Sequence, residues 1–456
     1  MSSIIYKSTA SDHAESSEQT LASLIKYWDI DFAVELLLLL ISMPLLYRPT
    51  YCGAYGVVFA IALLAGGWVW RRVRLGVWYQ KTPADWALVL LLAVMLPVSI
   101  WSAPAPLRME YSWPRALTLL WDFQLFTVIV SHVSRGRNKL VPALGIFIGI
   151  GIFVVVIAPF GTNWLFKLPQ TETILSWLPS VFGVLSREGG FGFHPNIVSG
   201  ALLYLLPLMI ALSSVLYDSQ HRNPMFWLFA MATLYSLAVF LMLQSRGGYI
   251  GLSTALLIMP AFHLRWWRVM LIVGGLVAVI GLILNRGEHL PLSTSALFLE
   301  SVGGLTSFED FRMELWKITL VAIADFPYTG LGLGVFPDAV RLLYTPKIMP
   351  SYYFGHAHNF WLQGAVDFGI PGLVAIMALY LTAIMHIWYL WRNMSNRTSQ
   401  ALVIGLAGSL IAQSIYSMTD SIPMGSTGNL FFWFLFGLIY ACGNLVATQE
   451  NEPLLP

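Results

Sequence analysis

Long apolar stretches alternate with short polar segments along nearly the whole chain, beginning near residue 31. A helix that crosses a bilayer needs about 20 mainly apolar residues. The pattern therefore predicts an all-α polytopic membrane protein with about twelve transmembrane helices. These predicted helices span residues 31–47, 53–70, 84–101, 115–133, 140–158, 196–217, 224–243, 248–263, 267–284, 370–391, 401–418 and 429–447. Pro and Gly inside some of them predict kinks, because neighbouring helices can satisfy the freed backbone groups.

The segments outside these helices divide the chain. Residues 1–30 are polar and predict a soluble tail without a cleaved signal peptide. A membrane domain follows over residues 31–447, and residues 448–456 form a short C-terminal tail. Two connections are long, namely residues 159–196 and residues 285–367, the latter between predicted helices 9 and 10. Long connections are usually functional or disordered. The second is rich in aromatic residues, which argues against disorder and predicts a folded segment over the outer end of the bundle.

Composition narrows the class of protein further. Of the 456 residues, 57% are hydrophobic and 11% are charged, whereas soluble domains carry about 25% charged residues. Such a chain cannot build a polar surface, which excludes a cytosolic enzyme, a disordered protein and a disulfide-stapled module. The formal net charge of +2 predicts no nucleic-acid partner. Membrane lipids are the expected surroundings of the chain.

Basic residues cluster in the short connections and predict the orientation in the membrane. Residues 71–74, 134–139 and 392–397 are dense in Lys and Arg. Cytoplasmic loops carry the excess of these residues. Both termini are therefore predicted to be cytoplasmic, and the connections 159–196 and 285–367 are predicted to lie on the outer face.

The first segment that can carry chemistry is Ser245-Arg246-Gly247-Gly248, at the outer junction of two long apolar helices. The two glycines predict a tight turn and a close approach of a ligand to the backbone. Arg246 is therefore a candidate for ligand binding. The alternative is an arginine that extends its long side chain to the lipid headgroups, a role that does not require the glycine pair.

The second segment runs from Glu309 to Trp316 in the connection 285–367. Residues 312–324 have helical spacing, with apolar residues on one face. On a helix, Arg312 can meet either Glu309 or Trp316. Arg312 is thus either a functional cation or a member of a surface ion pair or an Arg–Trp stack.

The third segment contains His356, His358, Asn359, Gln363 and Asp367. On a helix the last three residues form one polar stripe at i, i+4 and i+8. The stripe enters an apolar segment at the membrane face, where polar residues are functional by default. Histidine suits general-base catalysis near neutral pH. Two histidines at i and i+2 suit at most a pair of ligands on a loop, so no metal site is predicted.

Two weaker signals complete the set. Asn196 follows Pro195 at the start of a predicted helix, and a helix-capping role is the preferred interpretation. The glycine-rich turn between Pro327 and Gly334 has the look of a dinucleotide loop, but it lacks the flanking strand and helix, so nucleotide binding is rejected.

In this order the segments resemble the C-terminal signature of the O-antigen ligase and O-antigen polymerase superfamily, which comprises glycosyltransferases of the bacterial envelope. The matching pieces are Ser245-Arg246-Gly247-Gly248, Arg312-Met313-Glu314-Leu315-Trp316, the Pro327…Gly330-Leu331-Gly332 turn, and His358-Asn359 followed by Asp367-Phe368-Gly369-Ile370. The N-terminal half matches only in its hydrophobic layout and in His194-Pro195-Asn196.

The resemblance implies a GT-C-type enzyme of the bacterial inner membrane with its active site facing the periplasm. The implied donor is a glycan on undecaprenyl pyrophosphate. The implied acceptor is lipid A–core for a ligase, or another lipid-linked repeat for a polymerase. The family's catalytic histidine corresponds to His358, and its two essential arginines correspond to Arg246 and Arg312. No cofactor, metal or nucleotide sugar is implied.

The chemistry of these residue types agrees with that reaction. Arginine binds phosphate oxygens through two N–H groups, which suits a lipid pyrophosphate leaving group. Asn359, Gln363 and His356 are expected to support the site, although His356 lies outside the family's His-Asn pair. A ligase is favoured over a polymerase, because one dominant outer loop carries both Arg312 and His358. The alternative from another class is a flippase for lipid-linked sugars, which needs a charged cavity open to both faces.

Overall fold

The computed structural model of the chain describes residues 29–162, 193–220, 223–264, 266, 270, 308–347, 354–448 and 454–455. These residues are mainly helical and include no β-strand. The helices, numbered along the chain, are α1 Ile30–Tyr47, α2 Pro49–Leu75, α3 Asp85–Ser102, α4 Ala105–Val133, α5 Arg137–Gly161, α6 Pro195–Gln220, α7 Pro224–Met242, α8 Arg246–Ile258, α9 Phe308–Asp325, α10 Phe336–Leu343, α11 Phe360–Asn393, α12 Arg397–Tyr416 and α13 Thr427–Thr448.

Within the described residues, 10 helices are long and apolar enough to cross a membrane. They are α1 to α7 and α11 to α13, and they confirm a polytopic helical membrane protein. The count of twelve is not confirmed. Helix α8 has 13 residues before a 3-10 turn at Met259–Phe262, and at 1.5 Å per residue it covers about 20 Å of a hydrocarbon core of about 30 Å. The predicted helix at 267–284 lies outside the described residues.

The centre of the bundle is built by α4, α6, α12 and α13. Helix α6 packs along α12, and α4 packs along α13. Small residues allow close approaches between helices, as expected where helix association depends on van der Waals contact. At Gly251 in α8, an added Cβ atom would lie 2.6 Å from the carbonyl oxygen of Ala412 in α12. Helix α8 is therefore held directly against the central helices.

One end of the bundle carries ion pairs between the basic connections and α1. Arg74 Nε lies 2.8 Å from Asp31 Oδ1, and Lys139 pairs with Asp29. Deeper in the bundle, the buried Arg71 guanidinium contacts the carboxylate of Glu35. These pairs tie α1, α2 and the start of α5 together at the end that the sequence predicts to be cytoplasmic.

The opposite end carries the glycine-rich turn, which docks against a kink in α11. The Leu331 N–H donates to the Val366 carbonyl at 2.8 Å, and the Ile370 N–H donates to the Pro327 carbonyl at 2.7 Å. The kink lies at Gly369, whose φ of +71° is in the left-handed region that favours glycine. The turn is thus a packing element rather than an open loop.

Helix α11 begins at Phe360, earlier than the predicted start at 370. The predicted start at residue 370 coincides with the kink at Gly369. The residues of α11 before this kink form a first helical segment, which the sequence pattern places mostly in the loop 285–367. The predicted helical spacing of residues 312–324 is confirmed by α9. In the connection 159–196, Thr162 and Phe193 form a β-bridge, while residues 163–192 lie outside the described part of the chain.

Candidate active site

The two histidines flank Ala357 on a short loop that is anchored from both sides. The Ala357 N–H donates to Oε1 of Gln363 in α11 at 2.8 Å. Its carbonyl accepts a hydrogen bond from Nε1 of Trp316 in α9 at 3.1 Å. Because both backbone groups between the histidines are bonded to helices, the loop holds His356 and His358 in one arrangement.

His358 has an unusual backbone conformation. Its φ of +47° places it in the left-handed region, which is uncommon for residues other than glycine. Its N–H donates to Nδ1 of His356 at 3.2 Å, and the two imidazole rings have centroids 4.3 Å apart. Strained backbone persists where the surroundings enforce it, and it clusters at functional sites.

Asp420 is the centre of the site, and the sequence interpretation did not include it. Its Oδ1 atom lies 3.1 Å from Nδ1 of His358 and accepts a hydrogen bond from the Ser421 N–H at 2.9 Å. Its Oδ2 atom accepts a hydrogen bond from Nδ2 of Asn196 at 3.0 Å. The side chain therefore joins the histidine loop to α6 across the short connection between α12 and α13.

A signal in the sequence could have found Asp420. It is the only acidic residue between Asp367 and Glu450, and it lies two residues after the predicted transmembrane helix at 401–418. A single carboxylate at the outer end of an apolar region carries a functional expectation by itself.

Arg312 reaches the same carboxylate from α9. Its NH2 atom lies 3.9 Å from Oδ2 of Asp420, and the residue is 8% exposed. This burial excludes the interpretation of Arg312 as part of a surface ion pair. The side chain of Glu309, its predicted helical partner, lies outside the described part of the structure.

The hydrogen bonds define which nitrogen of His358 is available for chemistry. Because Asp420 can only accept at neutral pH, Nδ1 of His358 carries the hydrogen and donates it. The lone pair of a neutral His358 is then on Nε2. The pairing of a histidine with a buried carboxylate orients the ring and stabilises the imidazolium that forms when Nε2 takes a proton.

Burial and neighbouring charges change the pKa values of Asp420 and His356. Burial raises the pKa of Asp420, but the charge of His358, the hydrogen bond from His358 and the charge of Arg312 lower it by more, so the net pKa lies below its ordinary value. Burial, together with the charge of His358, lowers the pKa of His356 to about 3. At neutral pH Asp420 is thus ionised and His356 is neutral.

Arg246 is the first residue of α8, after the capping residue Ser245, whose Oγ accepts a hydrogen bond from the Gly248 N–H at 3.3 Å. A Cβ atom on Gly247 would clash with Oγ1 of Thr419. The start of α8 therefore lies beside the residue that precedes Asp420, which brings Arg246 to the same end of the bundle as His358.

The glycines of this segment have a different role from the predicted one. The turn before α8 is made by Gln244, with φ of +47°, whereas Gly247 and Gly248 are helical. Added Cβ atoms on the two glycines would meet the side chains of Thr419 and Ser199. The glycine pair thus allows helix packing. The expected tight turn lies at Gln244, three residues before Gly247.

The supporting residues Asn359 and Gln363 act on the loop and on α11. Asn359 is the N-cap of α11, in extended conformation, and its Nδ2 donates to the Met418 carbonyl at 3.1 Å. The predicted helical stripe is therefore wrong at Asn359. It holds between Gln363 and Asp367, whose side chains are joined by a hydrogen bond of 3.0 Å.

The capping interpretation of Asn196 is also wrong. Helix α6 begins at Pro195, and the His194 carbonyl accepts the hydrogen bond of Val198, so His194 occupies the capping position. The N–H of Asn196 donates to Nδ1 of His194 at 3.2 Å. Its side chain is thereby free of the capping role and binds Asp420, while its carbonyl accepts from Tyr416.

The described residues contain one group with the composition of a metal site. The ligand atoms of His356, His358 and Asp420 all lie within 4.8 Å of one another. Two imidazoles and a carboxylate are ligands of the kind that Zn²⁺ accepts. The hydrogen bond between Nδ1 of His358 and Oδ1 of Asp420 already joins two members of this group.

Comparison with known proteins gives two matches. Residues 231–377 match the family model described as O-antigen ligase, an interval that contains Arg246, Arg312 and the histidine loop and ends before Asp420. The chain is also 24% identical over 204 residues to an uncharacterized protein of Haemophilus influenzae. The aligned region covers 41% of this chain and 50% of that protein. The chain thus spans about half the length of this relative.

Proposed function

Since residues 231–377 carry the domain of the O-antigen ligase superfamily, a family of membrane glycosyltransferases, we propose that the chain transfers a glycan from undecaprenyl pyrophosphate to a hydroxyl of lipid A–core. This is the ligase reaction of lipopolysaccharide biosynthesis. The second candidate is the polymerase reaction, in which the acceptor is another lipid-linked repeat. Both reactions use a lipid-linked glycan donor and a hydroxyl acceptor.

The observation that carries the proposal is the contact between His358 and Asp420. A hydroxyl acceptor needs a base within hydrogen-bond reach, and Nε2 of His358 is the available lone pair. Asp420, at 3.1 Å from Nδ1, supplies the negative charge that stabilises the protonated ring. The pair resembles in its roles the histidine and carboxylate of serine hydrolases, where the carboxylate orients the ring without taking the proton.

The reaction balances with these groups alone. The acceptor oxygen attacks the anomeric carbon of the donor sugar, and its proton passes to Nε2 of His358. The bond between the anomeric carbon and the pyrophosphate oxygen breaks, and the lipid pyrophosphate leaves with the electron pair. A single in-line displacement of this kind inverts the configuration at the anomeric carbon.

Arg246 and Arg312 are the proposed partners of the pyrophosphate. Negative charge increases on the departing phosphate oxygens in the transition state, and fixed cations placed there lower the barrier. Arg312 is buried beside Asp420, and Arg246 begins the helix that packs against the Asp420 connection. In this proposal neither a nucleotide sugar nor a metal takes part.

The position of the cluster supports a periplasmic active site in the bacterial inner membrane. His358, Arg312 and Arg246 lie at the end of the bundle opposite the basic connections that contain Arg74 and Lys139. Basic connections favour the cytoplasm. The lipid-linked donor and the lipid A–core acceptor would then meet the site from the outer leaflet.

A flippase for lipid-linked sugars remains the alternative from another class. It would require charged groups that line a path between the two membrane faces. The candidate residues Arg246, Arg312 and His358 are instead grouped at one end of the bundle. At that end His358 is paired with the carboxylate of Asp420. That arrangement favours an enzyme, and the dominant outer loop that carries Arg312 and His358 favours a ligase.

Mass analysis of lipid A–core tests the proposal and separates the two reactions. We expect cells without the gene to lose all glycan attached to lipid A–core, and the wild-type gene to restore it. A single attached repeat in the deletion strain would identify a polymerase. Unchanged lipid A–core, together with no transfer by purified protein from a lipid-pyrophosphate glycan, would exclude both reactions.

A further inference from the structure

Arg115, near the outer start of α4, lies outside every motif that the sequence singled out. Its NH1 atom is buried and has no hydrogen-bond partner among the described residues. The residue as a whole keeps part of its surface exposed. A buried guanidinium nitrogen without an acceptor is costly, because its desolvation is not offset. Such a group indicates an acceptor that the described residues do not supply.

Two glycines of the C-terminal half make room for this arginine. A Cβ atom on Gly334 would lie 2.7 Å from Cδ and 2.8 Å from Nε of Arg115. A Cβ atom on Gly425 would clash with the Arg115 carbonyl. Gly334 ends the turn docked on α11, and Gly425 lies on the Asp420 connection. Arg115 is therefore enclosed by the same two segments that border the candidate active site.

The charge of Arg115 acts on the groups of that site. It makes a small contribution to the lowered pKa of His356, after burial and the charges of His358 and His194. It also acts on Asp367, which accepts a hydrogen bond from the Gly334 N–H at 3.3 Å. Arg115 is thus close enough to influence the histidine loop, although it comes from the N-terminal half of the chain.

We propose that Arg115 is a third cation of the active site and that its guanidinium binds a phosphate oxygen of a substrate. The inference rests on the proposed glycosyl transfer and adds a contact from outside the matched domain. The phosphate is either part of the donor pyrophosphate or a phosphate carried by the acceptor. Both present the same oxyanion, and arginine binds it with charge-assisted hydrogen bonds.

A purely structural role for Arg115 predicts a different outcome. If Arg115 only balances the buried charge of Asp367, removing both charges restores the protein. The double variant Arg115→Met/Asp367→Asn would then fold and transfer glycan at the wild-type rate. A phosphate-binding role predicts that the double variant folds but remains impaired, because the substrate oxyanion has lost its partner.

The decisive measurement is steady-state transfer by purified, monodisperse protein with donor and acceptor varied separately. We expect Arg115→Met to lower kcat/KM by about 10- to 100-fold, the range for loss of a charge-assisted contact, and Arg115→Lys to recover part of it. Arg341→Met is the matched control, because this arginine lies at the same end, is 59% exposed and pairs with Asp338.

The substrate whose KM rises identifies the source of the phosphate. A rise confined to the donor assigns the pyrophosphate, and a rise confined to the acceptor assigns an acceptor phosphate. Kinetics of Arg115→Met equal to those of Arg341→Met would overturn the inference and leave the proposed function intact. If wild type transfers nothing, the proposed function fails, and binding of inorganic pyrophosphate to wild type and Arg115→Met then decides the inference.

Discussion

Nδ1 of His358 lies 3.1 Å from Oδ1 of Asp420, although 62 residues separate them in the chain. The contact joins the loop before α11 to the connection after α12. It is reinforced by the Phe360 N–H, which donates to the Ser417 carbonyl at 2.8 Å. His358 and Asp420 are thus held together by the backbone as well as by their side chains.

This pairing predicts that Asp420 and His358 act as one unit. Asp420→Asn keeps an oxygen near Nδ1 but removes the charge that stabilises the imidazolium. We expect Asp420→Asn and His358→Ala each to lower the transfer rate by about 10²- to 10⁴-fold, the usual contribution of general-base catalysis. The double variant should be no slower than the slower single variant, since residues of one unit are not additive.

The control for this prediction is His356→Ala, which should reduce transfer less than His358→Ala. The rates are compared per folded protein, with folding checked by size exclusion. If His356 proved essential and His358 dispensable, His358 would not be the base.

Substitutions of Arg246 and Arg312 should show whether these positions require the geometry of arginine or only its positive charge. Lysine keeps the positive charge but cannot present two parallel N–H groups to a phosphate. Arg246→Ala and Arg312→Ala should each lose at least about 10-fold in transfer, because charge-assisted contacts contribute about 1.5–3 kcal/mol. Arg246→Lys and Arg312→Lys should recover only part of that loss. Full activity of Arg246→Lys, together with a folded and active Arg312→Ala, would contradict the pyrophosphate contact.

Chelation tests whether His356, His358 and Asp420 hold an ion. If His358 and Asp420 form a catalytic pair and His356 is a neutral neighbour, transfer should continue in excess EDTA. Metal analysis of the purified protein should then find less than one ion per chain. Loss of activity in EDTA with recovery on adding Zn²⁺, Mg²⁺ or Mn²⁺ would instead make the group a metal site.

The lowered pKa of His356 predicts a stability that falls with acidification. In the unfolded chain a histidine takes up a proton near pH 6.5, whereas folded His356, with a pKa of about 3, stays neutral. The stability linked to this group is complete above pH 6.5 and is lost as the pH falls towards 3. The loss approaches about 1.4 kcal/mol per pH unit below 6.5. The lowered pKa of Asp420 adds a loss only below its ordinary value of 3.8.

Thermal unfolding in detergent between pH 7 and pH 5 measures this effect. The Tm of wild type should fall over this range, and the fall should be smaller in His356→Gln. His263→Gln is the control, because this histidine is exposed near the opposite end of the bundle. An equal fall in both variants and wild type would show that His356 does not contribute to the pH dependence.

Cysteine labelling tests the orientation. The native Cys52 and Cys442 are both free and are replaced first. A cysteine at Tyr328, which is 75% exposed in the turn beside α11, should react with an impermeant maleimide in spheroplasts. A cysteine at Ser395, exposed between α11 and α12, should react only after permeabilisation. The reverse pattern would move the candidate site to the cytoplasmic face.

Much of the fold follows from local properties of the sequence. A transmembrane helix satisfies its backbone hydrogen bonds internally, so hydrophobicity and length predict it without knowledge of its neighbours. The approximate positions of α1 to α7 and α11 to α13 follow from this rule. His358, Arg246 and Arg312 could be selected as candidates for a related reason, since polar residues at the end of apolar segments stand out.

Only the tertiary structure decided which of these residues meet. Asp420 gains its role from His358, Asn196 and Arg312, and contacts between distant segments leave no periodic signal in the chain. The same holds for Arg115, whose neighbours Gly334 and Gly425 come from the other half of the sequence. The roles of Asn196 and Gly247 were misjudged because helix capping and turn formation are local preferences, whereas their actual contacts are set by how α6, α8 and α12 pack.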